Sequence, residues 1–205
     1  MNRYKIDRIP KINTHQQTSS QMAELTIRQK RRLLYRVDGN LREFQNNMKS
    51  HLTTTRFNNT TWEENRHYAS GKSNIGCIYG TCEQISSQIH EESVLFVLEM
   101  NNEQNRIMGV GMVRNRPIPR KHRIYANEEY NRYAYVGRHR VDRSEMSEEE
   151  DTIMQVFDIL CFKGSRHLKR LRGIKTFPVD MLYRCKRIMD LVEFIKNMFM
   201  KRIQT

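Results

Sequence analysis

The chain has 205 residues, 38% of them hydrophobic, enough for one ordinary domain or two small ones with a modest core. Thirty-six Lys and Arg against 23 Asp and Glu give a formal charge of +13, which makes polyanions the first partners to consider. No stretch approaches the roughly 18 consecutive apolar residues that cross a bilayer, and MNRYKIDRIPKINTHQQTSS lacks the apolar run of a secretory leader, so no membrane partner and an intracellular location, cytoplasm or nucleus, are expected.

Residues 1–20 are polar and aperiodic, as in a flexible arm. Residues 21–72 are expected to form a basic helical extension and loop. Met22, Leu25, Leu33, Leu34, Val37, Leu41, Phe44 and Met48 recur near helical spacing, with a break at Asp38-Gly39, and Thr53 to Lys72 reads as a long loop that carries Trp62. Residues 73–205 then form the expected α+β domain. IGCIYGTC is a short apolar run, and EQISSQI after it suits one or two helical turns. Val94–Met100 and Ile107–Val113 are strand-like, and the polar NNEQNR between them predicts a hairpin. Gly109 and Gly111 share one face of its second strand, which points to a bend or to close approach by another element or a ligand. Tyr133–Val141 is a further strand.

Ser147 and Glu150 have capping-box spacing ahead of an apolar stripe, which predicts a helix over 148–161. The basic loop KGSRHLKRLRG and an extended IKTFP follow. After Pro178, Met181, Leu182, Cys185, Ile188, Met189, Val192, Ile195 and Phe199 mark the core face of a final packing helix. The predicted fold is thus a small curved β-sheet or barrel flanked by helices.

Cys77, Cys82, Cys161 and Cys185 lack zinc-site spacing, and no metal or cofactor is expected. No P-loop, G-x-S-x-G, HExxH or deaminase signature occurs, so no catalytic residues are assigned. Two segments hold most of the excess charge. Residues 114–143 contain nine Lys and Arg against three acids, interleaved with Tyr125, Tyr130, Tyr133, Tyr135 and His139; residues 163–175 contain six and no acid. Guanidinium groups bridge phosphates and tyrosine rings stack on unpaired bases, a pairing that favours nucleic acid over a membrane. Lys163, Arg166, His167, Lys169, Arg170 and Arg172 are the expected phosphate contacts, with Arg138, Arg140, Tyr133 and Tyr135 on the neighbouring strand.

The succession GCIYG, a short helix, VLFVLEMNNEQNRIMGVGMVRN, a Tyr- and Arg-rich strand and FKGSRHLKRLRGIKTFP resembles the PUA-like superfamily in its EVE and YTH branch, over residues 74–178. That resemblance implies a small β-barrel with flanking helices that binds RNA or reads a modified or flipped base. YTH readers cage a methylated adenine with tryptophans, whereas the single Trp62 lies outside the matched segment, so Trp62 and Tyr79 enter as base-pocket candidates by chemistry alone. The chain also resembles uncharacterised proteins of large DNA viruses, which would add a host cell or virion as its location.

The expected function is non-catalytic binding of nucleic acid, RNA ahead of DNA. One alternative is an acetyltransferase of the GNAT type using acetyl-CoA, since a strand, a polar turn and IMGVGMV resemble its central hairpin. RHLKRLRGI supplies only one glycine of the R/Q-x-x-G-x-G/A loop that would hold the pyrophosphate. A second alternative is a basic structural or packaging protein of a virus, with salt-dependent but unselective binding.

Overall fold

The computed structural model describes residues 39–48, 50–119 and 121–204, in two compact units, Met1–Asn46 and Asn47–Thr205. Of the first unit residues 39–46 are described, and they are helical. The expected arm over 1–20 and most of the expected helices over 21–49 lie outside the described residues.

The second unit is α+β, with a mixed five-stranded sheet and a two-stranded sheet. Its first two elements fall where a loop is expected. β1 (His51–Phe57) is interior to the larger sheet, and α1 (Asn59–Ser70) follows at once. The reason is the threonine run. Thr53, Thr54 and Thr55 are buried and β-branched, which suits a pleated strand. Their polarity is met inside: Thr53 Oγ1 donates to the Phe96 carbonyl at 3.1 Å and Thr54 Oγ1 to that of Lys175 at 3.5 Å. α1 opens with a reciprocal cap, in which Asn58 Oδ1 accepts from the Thr61 amide at 2.8 Å and Thr61 Oγ1 accepts from the Asn58 amide at 3.1 Å. Its inner face is anchored by a polar side chain, since buried Asn65 donates through Nδ2 to the Ile78 carbonyl at 2.6 Å and to the Tyr125 hydroxyl at 3.0 Å.

β2 (Cys77–Thr81) leads into an irregular stretch, where the expected turns of helix in EQISSQI do not form. β3 (Val94–Asn101) and β4 (Arg106–Arg114) make the expected antiparallel hairpin, and β3 also runs parallel to β1, from His51 opposite Leu95 to Phe57 opposite Asn101. β3 is covered on both faces, hence its unbroken apolar run. Leu95 and Val97 join a cluster with Ile78, Tyr79 and Tyr135, while Phe96 stacks on Phe199 with centroids 5.2 Å apart.

The expected strand over 133–141 is two. β5 (Tyr133–Gly137) pairs with β2, and β6 (His139–Asp142) pairs with β4, so the chain changes sheets at Arg138. α2 (Glu148–Phe162) starts at the predicted capping box, with the Ser147 amide donating to Glu150 Oε2 at 3.0 Å and the Glu150 amide to Ser147 Oγ at 3.3 Å. β7 (Lys175–Thr176) completes the sheet in the order β6-β4-β3-β1-β7.

The expected single final helix is broken into α3 (Val179–Cys185) and α4 (Leu191–Ile203). Asp190 accounts for the break, because its side chain accepts from the Glu193 amide at 3.1 Å and caps a new helix. Ile188, counted in the apolar stripe, is consequently 95% exposed.

Candidate nucleic-acid interface

β4 lacks two side chains, at Gly109 and Gly111, and its neighbours reach across the gap. Arg140 on β6 donates from Nε to both carboxylate oxygens of Glu99 on β3 at 3.0 Å, and from Nη2 to Oε2 at 2.7 Å. A Cβ at Gly109 would lie 2.7 Å from Arg140 Nη2 and 2.8 Å from Glu99 Oε2; one at Gly111 would collide with the Tyr79 hydroxyl, which donates to Glu99 Oε1 at 2.8 Å. The close approach expected at these glycines is therefore made by side chains, from the flanking strands β3 and β6 at Gly109 and from β2 of the small sheet at Gly111. Arg140 Nη1 also donates to Asp142 Oδ2 at 2.8 Å.

Burial alone would lower the Arg140 guanidinium, but Glu99 beside it overrides this and drives it up. The Tyr79 hydroxyl is raised by its complete burial and then by Cys77 and Glu99, and the Cys77 thiol is pushed up to about 12 by burial. Arg140 further stands 5.4 Å from the centroid of Trp62, whose ring meets Phe57 edge-on.

Several expected contacts are thus parts of the fold. Arg140 is held by two acids, against its expected role on a phosphate. Tyr79 is fully buried, and Tyr135, 1% exposed, accepts through its hydroxyl from the Ile85 amide at 3.1 Å, so neither offers a ring face. Tyr133 is half-buried against the same cluster, and Trp62 is half-buried beside Arg140 and Arg66. Arg138 is exposed, but it lines a separate groove with Arg114, Arg116 and Glu92. Arg166 is exposed and paired with Asp180 at 2.7 Å, and His167 has a buried Nδ1 without a hydrogen-bond partner among the described residues.

The stretch from Leu168 to Gly173 behaves otherwise. Arg56, at the end of β1, donates from Nε to the Leu168 carbonyl at 2.7 Å and from Nη1 to the Gly173 carbonyl at 3.1 Å, so one guanidinium grips both feet of the segment between. Burial brings this guanidinium down to about 10, which leaves it charged at neutral pH. Asn102 Nδ2 donates to the Lys169 carbonyl at 3.1 Å, and Lys169 Nζ to Asn105 Oδ1 at 2.7 Å. Gly173 has φ +63°, a conformation favouring glycine, and sits against Thr81. Arg170, Leu171 and Arg172 project from this framework, exposed, and both arginines lack an ion pair or hydrogen bond among the described residues.

Beside them opens a cavity of about 330 Å³. It lies at the carboxyl ends of the parallel strands β1 and β3 and the start of α1, a position where sheets of parallel strands commonly hold ligands. Arg56, Lys169, Arg170 and Arg172 line it together with Thr61, Tyr125 and Tyr130, and no Asp or Glu lines it among the described residues. The two tyrosine rings meet edge to face, with centroids 6.2 Å apart. Tyr125 is buried and its hydroxyl raised by that burial, whereas Tyr130 is half-buried.

Of the expected site residues, Lys169, Arg170 and Arg172 converge here. Lys163 is exposed at the end of α2. In the sequence Tyr125 and Tyr130 stand out only as rings interleaved with arginines, and Arg56 and Asn102 do not stand out. Arg56 carried no signal, since it falls in a segment without hydrophobic period. The loop also follows a helix C-terminus and leads into a strand, the reverse of the strand-loop-helix order that the acetyl-CoA alternative requires.

Among the described residues no cluster of His, Cys, Asp and Glu could hold a metal ion, and no helix is long and apolar enough to cross a membrane. Compared with family models, curated proteins and solved structures, the chain matches none.

Proposed function

We propose that this protein binds nucleic acid without catalysis, RNA ahead of DNA, seating an unpaired base in the cleft beside Tyr130 while Arg170, Arg172 and Lys169 meet the phosphates. One observation carries the reading: a nucleoside-sized cavity lined by four cations and two tyrosines, with no acid among the described residues that line it. Its volume lies at the low end of the roughly 300–1,000 Å³ of small-ligand sites, which suits one base better than a duplex. Stacking on an aromatic face favours unpaired bases, and exposed single strands are the usual target of RNA recognition. Reading of a modified base belongs to the same proposal, as does a PUA-like architecture. The latter draws support from the way the chain passes at Arg138 from β5 in the small sheet to β6 in the large one.

The test is the Arg170→Gln/Arg172→Gln variant, titrated against labelled single-stranded RNA and DNA, with and without methylated adenine, at several salt concentrations. Loss of two phosphate contacts should lower affinity and flatten the slope of log K against log salt by about 1.4, at roughly 0.7 per contact on a single strand. Unchanged affinity and slope would remove the assignment.

A further inference from the structure

Leu171 is 43% exposed, between two arginines that are themselves exposed. It is an apolar side chain on a tethered loop, flanked by two cations without an ion pair or hydrogen bond among the described residues. Leu168, three residues earlier, is the loop's buried anchor, 6% exposed, with its amide donating to the Cys161 carbonyl at 2.8 Å. Leu171 has no such duty.

We infer that Leu171 is a wedge, which enters the base stack at the step vacated by the base in the cleft while Arg170 and Arg172 hold the phosphates on either side. This rests on the reading of the cleft as a nucleic-acid site. Three features support it. The tip is pre-organised, since Arg56 fixes the carbonyls of Leu168 and Gly173 and Asn102 fixes that of Lys169, so little ordering is left for the moment of binding. Arg170 and Arg172 are two residues apart, a span of at most about 7 Å of chain, and both line the cavity with Leu171 between them, so a strand gripped by both comes within reach of Leu171. Leu171 lines the same cavity as Tyr130, which puts an apolar plug and a stacking ring at one opening. Aliphatic side chains used this way elsewhere unstack a base step, and the energy returns through the contacts that the opened strand permits.

Single strands carrying 2-aminopurine, whose fluorescence rises when it is unstacked, test the inference. The wild-type protein should raise that fluorescence on binding. Leu171→Ala should abolish most of the rise and weaken binding by about fivefold or more, as for a lost stacking contact, while Leu171→Met restores both. The salt slope should not change, because no phosphate contact is removed. Thermal melting of each variant checks the fold, which an exposed tip residue leaves intact. A full rise with Leu171→Ala would overturn the wedge alone. Absence of any nucleic-acid binding by the wild type would overturn the cleft reading and the wedge together. A Leu171-dependent association with anionic phospholipid vesicles, without an effect on nucleic acid, would overturn the wedge in favour of a lipid surface.

Discussion

Arg140 and Arg143 belong to one basic stretch of the chain, Arg170 and Arg172 to another, and the two pairs meet opposite fates. Arg140 is closed in by Glu99 and Asp142, and Arg143 by Asp151 and Asp158, with side chains 10% and 5% exposed. Arg170 and Arg172 stand in solvent, unpaired among the described residues. In the sheet a side chain is directed by the pleat, and Arg140 is aimed over β4 at a carboxylate. At Arg170 and Arg172 the loop brings up no such acid among the described residues. Density of positive charge in a sequence therefore identifies a binding surface only where the backbone leaves the charge in water.

The contrast can be broken most directly at Arg140. Arg140→Met leaves Glu99 buried without its cation and should cost about 3–5 kcal/mol in urea denaturation, part of it regained when Glu99→Leu is added together with Tyr79→Phe, which removes the hydroxyl that Glu99 accepts from. Arg170→Gln and Arg172→Gln should each stay within about 0.5 kcal/mol of the wild type. Equal losses at the two places would erase the distinction.

A smaller effect bears on how Tyr79 reaches Glu99 across β4. Gly111→Ala puts a methyl group against the Tyr79 hydroxyl and the Cys77 sulfur, and should cost about 1–3 kcal/mol by the same measurement. A neutral result would mean that the gap over β4 is not needed.

Smallest is the intermediate case, Glu150, bound to Arg202 at the start of α2. The bond from Arg202 holds the Glu150 carboxyl below the ordinary carboxylate range, as Arg143 does for Asp151. Depressed folded-state values mean that these contributions are present above the unfolded value, about pH 4, and are lost as pH falls through the folded value. Wild-type stability should therefore decline below about pH 4, and Glu150→Gln should make that decline shallower by about 1 kcal/mol or less. A decline of the same depth in the variant would take Glu150 out of the acid response.

Legibility in the sequence followed the kind of signal each element carries. The β3–β4 hairpin and the start of α2 were readable because strand composition, a polar turn and a capping box are local. β1 and α1 were not, since a threonine run and a helix anchored by Asn65 bury polar groups whose partners lie 43 and 13 residues away. The final stripe kept helical spacing across Asp190, but a side chain that caps a helix is invisible to hydrophobic periodicity. For the candidate site, the loop's charge was readable and its fastening was not, because Arg56 lies 112 residues before the Leu168 carbonyl that it holds and nothing in the sequence marks it as the clamp.

The crossing at Arg138 bears on how this unit comes apart. β5 and β6 are one continuous length of chain, so melting the small sheet pulls directly on the edge of the large one, and neither has a private boundary along which to separate. Amide hydrogens in β2 and in β4 should thus exchange through a shared opening event, as members of one cooperative block.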